Sequence, residues 1–284
     1  MQTVETIAEL RTLRRAWAGS VGLVPTMGYL HAGHLALIEQ ARRANDQVIA
    51  SIFVNPAQFG PHEDYTSYPR DPERDLDMLR QAGVDLVFLP SVEAIYPTGF
   101  QTHIEVSGVS QGLEGGRRPG HFRGVATVVG KLFNLTQPDR AYFGQKDAQQ
   151  VAVIRRMVAD LNFPLDIVVV PTLRAANGLA LSSRNAFLSE AERAAAPVVY
   201  RALSAARDAY AQGSRYSDTL RGILRDVLSS EPLAQLAYVS VADAESLHEI
   251  TGDSAGALLV SLAVRFGRTR LIDNIVLDVT SLME

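Results

Sequence analysis

Five stretches of the sequence carry side chains whose kinds and spacing suit phosphate and carboxylate chemistry. The first is Pro25-Thr-Met-Gly-Tyr-Leu-His-Ala-Gly-His34. Here a strand pattern ends, a glycine-containing turn follows, and a helix pattern begins with two histidines three apart. Helix starts have free N–H groups and a positive dipole end that attract phosphate. Residues at i and i+3 share a face, so His31 and His34 can both point at an anion placed there. Gly28 and Gly33 let a ligand approach the backbone closely. Two histidines on an exposed helix start would read the same way. A metal centre fits less well, because no third and fourth ligand lies at a recognisable spacing.

The second stretch, Phe53-Val-Asn-Pro-Ala-Gln-Phe-Gly60, offers neutral amides at Asn55 and Gln58. Amides suit a small hydroxy acid, since they bond both hydroxyls and carboxylate; an ordinary Asn-Pro turn has the same residues. The third, Gly115 to Gly124, holds three arginines, one histidine and four glycines. It fits a mobile cover bringing positive charge to an anion, or a solvated loop. In the fourth, Phe143-Gly-Gln-Lys-Asp-Ala-Gln-Gln150, Lys146 falls at a helix start where a phosphate would sit. Asp147 is favourable at a helix N-terminus without any further role, and Gln150 shares its face. The fifth, Gly178-Leu-Ala-Leu-Ser-Ser-Arg-Asn185, sets two hydroxyls and a fixed cation side by side at Ser182, Ser183 and Arg184. This is a phosphate-binding set; it also reads as a helix cap or a linker.

The elements that must position these groups alternate between apolar strands and amphipathic helices through roughly the first 175 residues. Strands are expected at 21–24 (ending at Pro25), 48–54, 84–89, 141–143 and 167–170 (closed by Pro171), and helices at 34–44, 72–82, 125–135 and 147–161. In the first helix Leu35, Ile38 and Ala41 or Arg42 fall at helical spacing. Continuous apolar strands separated by helices predict an α/β fold, a Rossmann-like parallel sheet with helices on both faces. Ligands bind such sheets at the carboxyl ends of the strands. Residues 26–34, 55–60, 144–146 and 172–184 all follow strands and would converge there. The remainder predicts a long Ala-rich helix over 189–212, a helix over 217–228, and strands at 238–241, 258–266 and 270–277. We therefore expect one domain over 1–176 and a smaller C-terminal α+β domain over 177–284, with the boundary near Asn177–Ser189.

Composition narrows the class further. The chain has 284 residues, 47% hydrophobic and 20% charged, with a formal net charge of −4 and a sequence pI near 5.9. That balance supports a globular core and gives no general attraction to nucleic acid or anionic membranes. A small anionic substrate then needs a local cluster of positive groups. The absence of cysteine excludes disulfides, thiolate catalysis and cysteine-ligated zinc. The N-terminal stretch has early acidic residues and no continuous apolar core, so no signal peptide is expected. No run of roughly 18 apolar residues predicts a spanning helix. A cytoplasmic location is the default.

Taken in order, the strings PTMGYLHAGH, SIFVNPAQF, YPR, RPGHFRG, KLFN, FGQKDAQQ, GLALSSRN and RLIDN resemble the pantothenate synthetase (pantoate–β-alanine ligase) family over essentially the whole chain. The pairing of HxGH with a later Ser-Ser-Arg element resembles the wider adenylate-forming nucleotidyltransferases. The resemblance implies ATP-dependent condensation of pantoate with β-alanine through an enzyme-bound pantoyl adenylate, giving pantothenate, AMP and pyrophosphate for coenzyme A biosynthesis. It implies ATP contacts from Met27, Gly28, Tyr29, Leu30, His31, Ala32, Gly33 and His34, from Gly144, Gln145, Lys146 and Asp147, from the main chain near Leu173, and from Leu181, Ser182, Ser183 and Arg184. His34 matches the residue assigned as general acid. Gln58 and Gln150 match pantoate contacts, and Gln58 a β-alanine contact. Mg²⁺, no protein metal ligand set, a C-terminal domain closing as a lid, and a homodimer are implied as well. Gln145 stands where many relatives have Glu, and Asn177 where Asp is common; neither removes a matched contact, but Gln145 brings no charge to a metal.

Physical reasoning agrees with that reaction. A carboxylate is a weak electrophile, and adenylation gives it a good leaving group. His31, His34, Lys146, Ser182, Ser183 and Arg184 are the groups expected around the charge that collects on the phosphates, with His34, His31, Lys146 and Arg184 as catalytic residues. His34 can also donate a proton. The runner-up is a nucleotidyltransferase for a phosphorylated acceptor, whose acceptor site would be rich in Arg and Lys where this chain has Asn55 and Gln58. A nucleotide-binding module without catalysis would bind ATP and not turn it over.

Overall fold

The computed structural model describes residues 1–61, 63–253 and 256–278. The chain packs as two compact units, one of residues 1–145 with 149–171, the other of 146–148 with 172 onward.

Six parallel strands build the sheet of the first unit: β1 (Gln2–Val4), β2 (Val21–Thr26), β3 (Gln47–Ile52), β4 (Leu86–Phe88), β5 (Arg140–Gly144) and β6 (Asp166–Val170), in the order β1-β4-β3-β2-β5-β6. Its helices are α1 (Ile7–Arg15), α2 (Ala32–Ala44), α3 (Pro72–Gln81), α4 (Val92–Ile95), α5 (Leu113–Arg117), α6 (His121–Thr136) and, apart from its first residue, α7 (Ala148–Asp160). Side chains alternate across a strand, and the alternation here feeds two cores. Leu23, Ile49, Leu86 and Phe88 face a cluster completed by α1, α6 and α7. Val24, Val48, Ala50 and Val87 face the opposite cluster, completed by α2 and α3. The expected α/β sheet with helices on both faces is what forms.

Between β2 and β5 the strand order reverses direction, which is the switch point where such sheets hold ligands. The turns at 27–31 and 144–145 leave these two neighbouring strands. Several elements depart from the sequence pattern. The three-residue β1 and the helix α1 give too short or too polar a signal to be foreseen. β2 runs through Pro25 to Thr26, because β5 pairs only as far as Leu23. Pro25 therefore sits where that side of the ladder has no bond to lose.

In the second unit α8 (Glu190–Ala195), α9 (Val198–Ala211) and α10 (Ser217–Ser229) accompany an antiparallel sheet of β7 (Gln235–Asp243), β8 (Leu258–Phe266) and β9 (Thr269–Leu277). Alternate residues of β8 (Leu258, Val260, Leu262, Val264 and Phe266) join the helices in one buried cluster. The single long helix expected over 189–212 is two helices. A proline lacks the N–H for the ladder and crowds the carbonyl four residues back, so Pro197 ends α8 at Ala195 and opens α9.

Candidate active site

The turn after β2 is held almost entirely by the chain's own polar groups. Thr26 Oγ1 donates to the Ser51 carbonyl at 2.8 Å and accepts the Gly28 N–H at 3.2 Å. Gly28 and Tyr29 then take left-handed backbone angles, φ 79° and 48°. Both carboxylate oxygens of the buried Asp75 accept backbone N–H groups, from Tyr29 at 2.6 Å and Leu30 at 2.7 Å. Helix α2 begins at Ala32 rather than His34, with His31 as its N-cap. His31 Nδ1 accepts the Gly33 N–H at 3.1 Å, and His34 Nδ1 accepts the His31 N–H at 3.3 Å. The rings lie 4.0 Å apart.

This reciprocal cap changes the expected role of the turn. The N–H groups of Gly28, Tyr29, Leu30, His31 and Gly33 are engaged by Thr26, Asp75, His34 and His31. An Nδ1 that accepts a hydrogen bond puts the proton of the neutral ring on Nε2.

Beyond β3, Asn55 caps a short 3-10 turn, Pro56–Gln58, by accepting the Ala57 N–H at 3.3 Å. It also accepts the Tyr96 hydroxyl at 2.8 Å, and its Nδ2 donates to Gln58 Oε1 at 3.0 Å and to the Gly124 carbonyl at 3.1 Å. Burial pushes the Tyr96 phenol up to about 12, with the Asn55 bond opposing, so Tyr96 stays a donor. Gln58 Nε2 lies 3.1 Å from Met27 Sδ, which brings a candidate nucleotide residue against a candidate acid-binding residue. Gln150 is half-buried on α7. Its neighbour Gln149 is the buried amide, accepting the Glu114 N–H at 2.9 Å and donating to the Val109 and Gln111 carbonyls.

The Arg- and Gly-rich stretch spans the end of α5 and the start of α6. Arg118 forms a two-pronged pair with Glu63 at 2.6 and 2.7 Å. Its Nη1 lies 3.0 Å from His121 Nε2, and His121 Nδ1 lies 2.8 Å from the Gln58 carbonyl. Guanidinium can only donate and a carbonyl can only accept, so His121 is neutral with its proton on Nδ1. Burial first, then the Arg118 charge, hold it down to about 4. Of the three arginines in this stretch, Arg118 is spent on Glu63 and on fixing the Gln58 backbone. Gly124 is required here: a Cβ would lie 2.2 Å from the Ala57 carbonyl oxygen.

Gly144 ends β5 and Gln145 follows it in the first unit. In the second, Lys146 Nζ lies 3.6 Å from Asp147 Oδ1, and the Lys146 carbonyl accepts Asn274 Nδ2 at 2.8 Å. Ser182 caps the 3-10 turn Ser183–Phe187 by accepting the Arg184 N–H at 3.3 Å, so the capping reading of this segment holds for its oxygen; the hydroxyl proton can still be donated. Lys146 and Ser182 line one small pocket with Asn185, Tyr200 and Asp273. Ser183 is buried and Leu173 exposed; Leu181 and Arg184 are half-buried. Arg174 pairs with the buried Asp273 at 2.5 and 3.0 Å and lies 3.8 Å over the Tyr200 ring.

Sequence reasoning missed Asp75, Tyr96, Glu63 and Asn274. Asp75 falls in a run of charged residues whose periodicity reads as a solvated helix face. The only hint was RLIDN for Asn274 and YPR for the segment leading into α3. Among the described residues no group of three His, Asp or Glu stands where it could hold a metal, and no helix is long and apolar enough to cross a membrane.

Comparison with known proteins adds an independent line. The sequence model of the Pantoate-beta-alanine ligase family matches residues 2–276. A pantothenate synthetase of Herpetosiphon aurantiacus is 60% identical over 277 residues, covering 98% of this chain and 100% of the relative. One of Chloroflexus aggregans is 59% identical, covering 96% and 99%. The crystal structure of pantothenate synthetase from Thermus thermophilus superposes with a TM-score of 0.93 at 52% identity, covering 97% and 99%. A pantoate-beta-alanine ligase from Francisella tularensis, in complex with Beta-gamma ATP and beta-alanine, gives a TM-score of 0.79 at 36% identity, with 97% of both chains covered.

Proposed function

The chain belongs to the pantoate–beta-alanine ligase family, and from that premise we propose how its own residues divide the work of joining pantoate to β-alanine with ATP. The match across residues 2–276 carries the reaction itself: the protein is an ATP-dependent acid–amine ligase. In the first step the pantoate carboxylate attacks the α-phosphorus, the bond to the β-phosphate oxygen breaks, and pyrophosphate leaves. In the second, the β-alanine amine attacks the acyl carbon of pantoyl adenylate, loses a proton, and AMP leaves.

ATP is assigned to residues 27–34 and 144–147, to Leu173 and to residues 181–184. His31 and His34, Nε2–H outward, stabilise phosphate charge, and His34 can pass a proton to a departing oxygen. Lys146, Ser182, Ser183 and Arg184 meet the same developing charge. Gln58 and Gln150 bind pantoate through hydroxyl and carboxylate, and Gln58 also meets β-alanine. Support for an acid rather than a phosphorylated acceptor comes from the amides around Gln58, where the adjoining cation, Arg118, is already paired with Glu63. Mg²⁺ would enter with the nucleotide and would offset charge on its phosphates. A division at 176/177, closure of the 177–284 domain as a lid, a homodimer and a cytoplasmic location complete the proposal.

ATP–pyrophosphate exchange across a panel of carboxylic acids tests it. Exchange should require pantoate, and AMP should accumulate only once β-alanine is added. Exchange with no acid present, or AMP release without the amine, would overturn the two-step scheme. Sedimentation at micromolar concentration tests the dimer.

A further inference from the structure

We propose that Arg74 and Asp75, adjacent on α3, are positioning residues that clasp the Gly28–Leu30 turn and thereby set the two histidines of α2. The clasp grips one turn by both kinds of backbone group. Asp75 takes the N–H groups of Tyr29 and Leu30 at 2.6 and 2.7 Å, and Arg74 Nη2 donates to the Leu30 carbonyl at 3.0 Å. The Arg74 guanidinium also lies 5.5 Å over the Tyr29 ring. Asp75 is 1% exposed, and its two backbone donors are what compensate a buried carboxylate there.

The turn needs this grip. Tyr29 holds φ 48°, which is costly for a residue with a side chain. Asp75 bonds the N–H of Tyr29 itself and the one after it. The next residue, His31, begins the reciprocal cap, so the clasp hands its geometry directly to both imidazoles. Space is tight as well: a Cβ on Gly28 would lie 3.0 Å from Asp75 Oδ2 and 3.0 Å from Ile52 Cγ2. A second consequence follows from charge. A carboxylate beneath these N–H groups keeps anions off the backbone, so a phosphate is met by Nε2–H of His31 and His34 and is held at ring length from the turn.

The kinetic side of this rests on the adenylation reading; the histidine side does not. Asp75→Asn keeps shape but replaces one acceptor oxygen with a donor group facing an N–H. Asp71→Ala is the control: Asp71 caps the same helix by accepting the Arg74 N–H and touches no part of the turn. In purified full-length protein we expect Asp75→Asn to lower the maximal rate of pantoate-dependent ATP–pyrophosphate exchange about 100-fold, with Asp71→Ala within about 2-fold of wild type at a temperature where both are folded. Side-chain ¹⁵N spectra should show His31 and His34 leaving the Nε2–H form in Asp75→Asn while His103, His121 and His248 keep their signals. Should Asp75→Asn not fold, Arg74→Gln, at an exposed position, gives the second reading: about a 10-fold loss of exchange and the same two histidine signals moved. Folded variants with unmoved His31 and His34 signals and exchange within 3-fold of wild type overturn the clasp. If the wild-type protein shows no pantoate-dependent exchange while the His31 and His34 signals still move in Asp75→Asn, the clasp stands and the ligase reading falls instead.

Discussion

At position 31 one imidazole caps α2 through Nδ1, and the proposed phosphate contact falls to its other nitrogen, Nε2; substitution can separate the two. Asn is a good N-cap whose oxygen can replace Nδ1. His31→Asn should therefore keep Tm within a few degrees while exchange falls about 100-fold, the order expected when a key electrostatic donor is lost. His31→Ala should lose both, adding about 1 kcal/mol of instability for the missing cap. Thermal melts beside exchange assays decide; wild-type exchange in folded His31→Asn would deny Nε2–H any role. At His121 the prediction concerns pH. Its folded value, about 4, lies below the ordinary 6.5 because burial and the Arg118 charge disfavour the cation. Between those values the unfolded chain binds a proton that the folded protein refuses, so stability falls as pH drops from 6.5 toward 4 and is flat above. The full effect is on the order of 3 kcal/mol. Urea unfolding at pH 7 and pH 4.5 should show this loss in wild type and a much smaller one in His121→Gln.

Elements translate such residue effects into substrate binding. Helix α6 runs so close to the 56–58 turn that Gly124 faces the Ala57 carbonyl, and a methyl there would lie 2.2 Å from the oxygen. Gly124→Ala must push the turn carrying Gln58 away from the helix. We expect a KM for pantoate raised at least about 10-fold, with the KM for ATP much less affected and Tm lowered by strain. A parallel rise in both KM values would place the damage elsewhere. The same pair of elements shows what was readable in the sequence. The apolar runs that became β2 to β5 were plain because strands buried on both faces need no alternation, and α6 was visible from its periodicity. The contact between α6 and the turn was hidden: Gly124 looked like loop flexibility, whereas its function is close approach. Pro197 was equally visible, yet the alanine-rich pattern on both sides concealed that it divides two helices. Asp75 was lost for a related reason, since a buried carboxylate and a solvated one are spelled alike, and only the backbone groups it meets tell them apart.

For the whole molecule, the ordered strings from residue 25 to 274 pointed to the family, because a specific sequence of loops on an alternating fold has few other sources; the comparisons agree along almost the full length. What the strings do not spell is which loop groups are already engaged inside the protein, as the N–H groups of the 28–31 turn are. The assigned ATP residues are drawn from both compact units, with 27–34 and 144–145 in the first and 146–147, 173 and 181–184 in the second. Binding a ligand to the folded state alone stabilises it by RT ln(1 + [L]/Kd), about 2.7 kcal/mol at 100 times Kd. If both sets hold one nucleotide, that stabilisation must reach both units. Amide hydrogen exchange with and without saturating ATP should then show slowed exchange in 21–44 and in 181–203 together, with the same concentration dependence. His34→Ala and Arg184→Ala should each weaken the protection in both segments, although each lies in only one. Protection confined to 21–44 would mean that residues 181–184 do not bind the nucleotide, and a variant that erases protection in its own segment alone would mean that the two segments do not hold one nucleotide between them.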